Sequence, residues 1–182
     1  MTDILLEVCV DDIAGLQAAI EGGADRIELC SALDLGGMTP SAGLMTFAAR
    51  TPVPCYAMIR PRAGNFVYSP DELTVMEDDI RFAASCGLAG VVFGVNLADG
   101  RLDTEAMKKL SEAVPGMPRT LHRAFDLVPA LEEAIEVAIA GVFERILTSG
   151  RATSVPKGLR ELGHLVEIAD RRVAILAGGG VE

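Results

Sequence analysis

Short apolar runs recur along the chain, and each is followed by a stretch with helical spacing. Residues 4–10 (ILLEVCV) read as a strand and residues 11–21 as a helix, with Ile13, Leu16 and Ile20 on one stripe. Gly22-Gly23 ends that helix. The same alternation continues with strands at 26–30 (RIELC), 55–60 (CYAMIR), 90–95 (GVVFGV), 119–125 (RTLHRAF), 145–150 (RILTSG) and 173–177 (VAILA). Helices are expected at 41–50, 69–86, 103–113, 129–140 and 155–169. Ser69-Pro70-Asp71-Glu72 is a strong helix start, with a capping hydroxyl, a proline at the first turn and acids near the positive end of the dipole.

Seven strands and six helices that alternate without a linker predict a parallel sheet with crossover helices. The first strand-to-helix turn lacks the G-x-G-x-x-G of a dinucleotide site. Polar, reactive residues instead close nearly every strand, as they do at the mouth of a TIM (β/α)8-type barrel. The expected fold is therefore an α/β barrel of that type in a single domain spanning residues 1–182. It is short by a seventh helix, an eighth strand and an eighth helix. The chain has 182 residues, against about 250 for typical barrels. The expectation that follows is a truncated or shortened barrel. Its first and last strands would be edges, and its gap an open cleft or an interface with a partner chain, which makes a homo-oligomer the expected assembly.

Composition narrows the partners. With 16 basic and 26 acidic side chains the formal net charge is −10, which argues against nucleic acid or an anionic membrane surface as partner. No apolar stretch is long enough to span a membrane, and the acidic start of the chain does not read as a secretory signal. The four cysteines at positions 9, 30, 55 and 86 are widely spaced. Free thiols in a reducing, cytoplasmic setting are expected rather than a disulfide framework.

E-x-C occurs twice in consecutive strands. Alternation puts Glu7 with Cys9 on one face of the first strand, and Glu28 with Cys30 on one face of the second. Buried carboxylates require partners, and Arg60 at the end of the third strand is the expected cation, either in a structural ion network or in a site. His122 and Asp126 lie around the end of the fifth strand, and on that strand His122 and Arg123 point to opposite faces. Glu7, Glu28, Arg60, His122 and Asp126 are thus the candidate catalytic groups, with His122 working only if a carboxylate orients it. Arg62, Arg123, Ser149 and Gly179 are the candidate anion-binding groups. Gly179 lies in a glycine run that could bring backbone N–H groups against a phosphate.

These motifs together resemble the CutC family of copper homeostasis proteins. The resemblance rests on Glu7-Val8-Cys9-Val10-Asp11, Gly22-Gly23-Ala24-Asp25-Arg26-Ile27-Glu28-Leu29-Cys30-Ser31, Gly36-Gly37 with Thr39-Pro40-Ser41, and Ile59-Arg60-Pro61-Arg62. It continues through Leu121-His122-Arg123-Ala124-Phe125-Asp126, Leu147-Thr148-Ser149-Gly150 and Ala177-Gly178-Gly179-Gly180-Val181. It implies a TIM barrel, a cytoplasmic location and a link to copper tolerance. It also implies that Cys9 and Cys30 match the thiol pair proposed to bind Cu(I). Soft thiolates suit that ion, although barrel shear is expected to stagger the two sulfurs. The third loop departs from the family pattern R-P-R-G-G-D-F: in Arg60-Pro61-Arg62-Ala63-Gly64-Asn65-Phe66, Ala63 stands in place of the first glycine and Asn65 in place of the carboxylate, and Leu35 stands where an acid is common. The rival expectation is an enzyme acting on a small anionic or phosphorylated metabolite. Arg60, Arg62 and Arg123 would hold the anion, and His122 with Glu7 or Glu28 would move protons.

Overall fold

The computed structural model describes residues 4–181. Seven strands and six α-helices alternate among them, the βα repeat of a TIM-type barrel. The strands are β1 (Glu7–Val10), β2 (Arg26–Leu29), β3 (Cys55–Met58), β4 (Gly90–Phe93), β5 (Arg119–Leu121), β6 (Arg145–Thr148) and β7 (Ala174–Ala177). The helices are α1 (Ile13–Glu21), α2 (Ala42–Ala48), α3 (Pro70–Cys86), α4 (Thr104–Glu112), α5 (Leu131–Ala140) and α6 (Val155–Ala169). Every expected element forms. The strands are shorter than expected: β1 begins at Glu7 and β7 at Ala174, while β2, β3, β4, β5 and β6 end before their expected last residues.

The chain packs as two compact units. One holds the chain to Gly64, Pro70–Val92 and Ala113–Met117; the other holds Asn65–Ser69, Phe93–Glu112 and the chain from Pro118 onward. In the first unit β1, β2, β3 and β4 pair in chain order, all parallel. The register sets Glu7 opposite Arg26, Cys9 opposite Glu28 and Glu28 opposite Tyr56. All residues of β2, β3 and β4 are buried, as a parallel sheet covered on both faces requires. Leu16, Ile27, Leu29, Met45, Ile59, Met76 and Ile80 fill the space between this sheet and its helices. A second cluster joins Cys30, Tyr56, Met58 and Val92.

In the second unit β5, β6 and β7 are again parallel and in chain order. Phe93, Leu110, Leu121, Phe125 and Ile135 form its core. Phe93 meets the edge of Phe143, with ring centroids 5.2 Å apart.

Local chemistry sets the helix starts. Asp12 accepts the Gly15 N–H at 2.6 Å ahead of α1, Ser41 the Leu44 N–H at 3.2 Å ahead of α2, and Asp103 the Ala106 N–H at 3.0 Å ahead of α4. Pro70 opens α3, where its missing N–H costs nothing. β5 shows the largest early end. β5 stops at Leu121, and a 3-10 helix (Arg123–Leu127) begins with His122 as its cap. His122 and Arg123 therefore do not alternate across a strand, as the sequence had suggested.

Candidate functional site

The site residues expected from sequence fall into two clusters, one in each unit. In the first, the strand register builds the arrangement. Cys9 stands beside Glu28 across the β1–β2 pair, and Cys30 follows Glu28 two residues on, on the same face. Both thiols donate to one oxygen. Cys9 Sγ lies 3.3 Å and Cys30 Sγ 3.8 Å from Glu28 Oε1. The expected stagger of the sulfurs is therefore bridged by the carboxyl between them. Glu28 is 4 % exposed, and its other oxygen, Oε2, is buried without a hydrogen-bond partner.

One step below, Glu7 pairs with Arg26 Nε, and the Arg26 guanidinium lies 5.3 Å from the centre of the Tyr56 ring. Arg26, rather than Arg60, is thus the cation of Glu7. Arg26 was missed in the sequence, although R-x-E-x-C places it on the same face as Glu28 and Cys30. Arg60 is buried and has a different task. Its Nη1 donates to the carbonyls of Leu35, Gly36 and Gly37 at 3.1, 3.2 and 3.0 Å, and its Nη2 to Gly64 at 3.0 Å. It pins the loop after β2. That loop closes on the thiol: a side chain at Gly37 would put its Cβ 3.0 Å from Cys30 Sγ, and Gly37 has φ +78°. Arg62 donates through Nε to Glu72 at 2.5 Å.

Charge and burial act together in this cluster. Burial, then the Glu7 charge, raises the Glu28 carboxyl to about 7, while the two thiol hydrogen bonds and Arg26 hold it lower. Cys9 is an exposed residue, yet enough protein surrounds it for burial to be the largest cause of its rise. Burial and then Glu28 push both the Cys9 and the Cys30 thiols far above their usual range. Both are therefore protonated at neutral pH, and a cation that takes them as thiolates must displace their protons.

Strand geometry excludes a direct Cys9–Cys30 disulfide without backbone movement. One strand spacing of about 4.8 Å combined with two residues of rise separates the Cα atoms by roughly 8 Å, beyond the roughly 7 Å a disulfide spans. An ion between the two sulfurs meets no such limit. The donor set is two soft sulfurs, which fits Cu(I). No group of three or more His, Cys, Asp or Glu side chains is arranged to hold a metal among the described residues. Cys55, at the start of β3, and Cys86, at the end of α3, lie apart from this pair as free thiols.

The second cluster is organised by Asp126. It accepts from Arg123 Nε at 2.8 Å, Thr148 Oγ1 at 2.5 Å, Ser149 Oγ at 3.1 Å and the Arg151 N–H at 3.3 Å. Arg123 Nη2 also donates to Ser149 Oγ at 2.8 Å. Asp126 thus ties the 3-10 helix to the loop after β6. Gly179 packs beside Arg123, where an added Cβ would lie 3.1 Å from Nη1. His122 is buried, and its Nδ1 accepts the Ala124 N–H at 3.2 Å, which leaves its proton on Nε2. Its ring packs 4.6 Å from that of Phe66. The group that orients His122 through Nδ1 is therefore a backbone amide.

Comparison with known proteins gives a consistent result. A sequence model of the CutC family matches residues 4–182. The chain is 58 % identical over 181 residues to a CutC family protein of Rhizobium meliloti, covering all of this chain and 74 % of that protein. It is 51 % identical over 179 residues to one of Vibrio cholerae, covering 97 % of this chain and 70 % of that protein. A crystal structure described as a candidate copper homeostasis protein CutC, from Streptococcus agalactiae, superposes with a TM-score of 0.94 at 35 % identity. That match covers 98 % of this chain and 89 % of the other. An aldolase superposes with a TM-score of 0.69 at 16 % identity, which speaks to the fold alone.

Proposed function

The chain belongs to the CutC family, and from that premise we propose that it is a cytoplasmic copper-handling protein that binds Cu(I) through Cys9 and Cys30. The observation that supports this reading is the convergence of the two thiols on Glu28 Oε1. Two soft sulfur donors suit a soft monovalent ion, while a disulfide between them would need backbone movement. Loading replaces two thiol protons with one cation, so affinity rises with pH. No helix among the described residues is long and apolar enough to cross a membrane. The family link to copper enters through the Streptococcus agalactiae relative, described as a candidate copper homeostasis protein.

The anionic-metabolite reading draws less support. It relies on Arg60, Arg62 and Arg123, whose described bonds run to backbone carbonyls, to Glu72 and to Asp126. An arginine that must first release a carboxylate is a weaker anion receptor than an open one.

Anaerobic titration with Cu(I) against a chromophoric chelator tests the proposal. The wild-type chain is expected to hold one ion tightly, and Cys9→Ala plus Cys30→Ala to lose that binding. Unchanged binding in the double variant rules out these two thiols as the ligands.

A further inference from the structure

One oxygen serves two thiols, and that arrangement is costly to build. A carboxyl in the interior loses its hydration, and thiols are weak hydrogen-bond donors, so a packed apolar side chain would serve stability better at this position. Glu28 nevertheless sits between Cys9 and Cys30 across the β1–β2 pair. Its Oε1 takes both sulfurs, and its Oε2 is buried with no partner. The Gly37 backbone lies close against the Cys30 sulfur.

We propose that Glu28 is the positioning residue of the Cu(I) site, whose Oε1 holds the two sulfurs turned toward one point. This rests on the reading of Cys9 and Cys30 as the ligands and adds what aligns them. A cysteine side chain has three staggered rotamers. With both thiols anchored, each is held in the one that faces Glu28. With the acceptor removed, both must return to it when the ion binds. Three wells on each side chain set the loss of affinity at roughly tenfold. The required feature is an acceptor oxygen, which glutamine keeps and leucine lacks. Leucine is a better replacement than methionine, whose thioether is itself a soft copper ligand.

The experiment compares wild type, Glu28→Gln, Glu28→Leu, and Cys9→Ala plus Cys30→Ala by anaerobic Cu(I) competition. Copper X-ray absorption reads the number of sulfur neighbours, and circular dichroism checks the fold. Expected is Glu28→Gln within about threefold of wild type and Glu28→Leu weaker by roughly tenfold, each with two sulfur neighbours once loaded. Equal affinity in Glu28→Leu overturns the positioning role, and so does equal weakening of both Glu28 variants. Retained binding in the double cysteine variant overturns the ligand assignment instead, so the two failures are distinguishable. Should Glu28→Leu not fold, the infrared S–H stretch of the metal-free wild type decides, with Cys9 and Cys30 bands assigned from their alanine variants. Bands shifted as for hydrogen-bonded thiols support the proposal; bands at the free-thiol position overturn it.

Discussion

At the residue scale, Glu28 makes the fold pH-dependent. Its carboxyl titrates near 4.5 in the unfolded chain and at about 7 in the folded one. Between those values the folded state binds the proton and the unfolded state has released it, so stability falls as pH rises. The cost is absent below about 4.5 and complete above about 7. At about 1.4 kcal/mol per pH unit it amounts to roughly 3 kcal/mol. Urea unfolding of the metal-free, reduced protein at pH 5 and pH 8 is expected to show Glu28→Gln gaining stability relative to wild type at the higher pH. A constant difference between the two proteins would mean that Glu28 is not the source. This residue was legible as a candidate from E-x-C alone. Its partners were not: alternation gives a face but not the neighbour across the strand, so the Glu7 cation was expected to be Arg60 and is Arg26. Arg60 instead spends its donors on loop carbonyls, which no side-chain pattern announces.

At the element scale, α6 approaches the loop after β6 through a glycine. A Cβ at Gly158 would lie 1.9 Å from the Ser149 carbonyl oxygen. Gly163, on the same helix, has nothing within 4 Å. Replacing each with alanine separates packing from helix propensity. Gly163→Ala is expected to stabilise by up to about 1 kcal/mol. Gly158→Ala gains the same propensity but forces the helix off the loop, at a net loss of about 2 kcal/mol. Thermal or urea unfolding reads both, and equal shifts of the same sign would disprove the close approach. The six helices and seven strands were read from periodicity and breakers because those signals are local. The end of β5 departs from the expectation of one strand over 119–125 because His122 uses its own side chain to accept the Ala124 N–H and start a 3-10 helix. The period of the run carries no trace of that bond.

At the scale of the whole molecule, the net charge of −10 draws cations and repels polyanions, which accords with the proposed Cu(I) binding. Binding then feeds back on stability. At free Cu(I) about 100 times the dissociation constant, the folded state gains about 2.7 kcal/mol. For a chain of this size that corresponds to a rise of roughly 5–10 °C in Tm. Anaerobic thermal unfolding with and without Cu(I) is expected to show this rise in wild type and not in Cys9→Ala plus Cys30→Ala. An equal rise in both would place the stabilising ion elsewhere.

The sequence alone determined the alternating α/β plan and the TIM-type class, and it singled out two thiols as candidates. Each of these depends on periodicity or on side-chain type, which are properties of neighbours along the chain. The tertiary structure decided that Cys9 and Cys30 share one carboxyl oxygen, that Arg26 neutralises Glu7, and that Asp126 holds Arg123 and Ser149 together. Those depend on strand register and loop closure, which bring Cys9 to Glu28, 19 positions away, and Ser149 to Asp126, 23 positions away. Register is fixed by packing across the sheet and not by any one strand's own pattern.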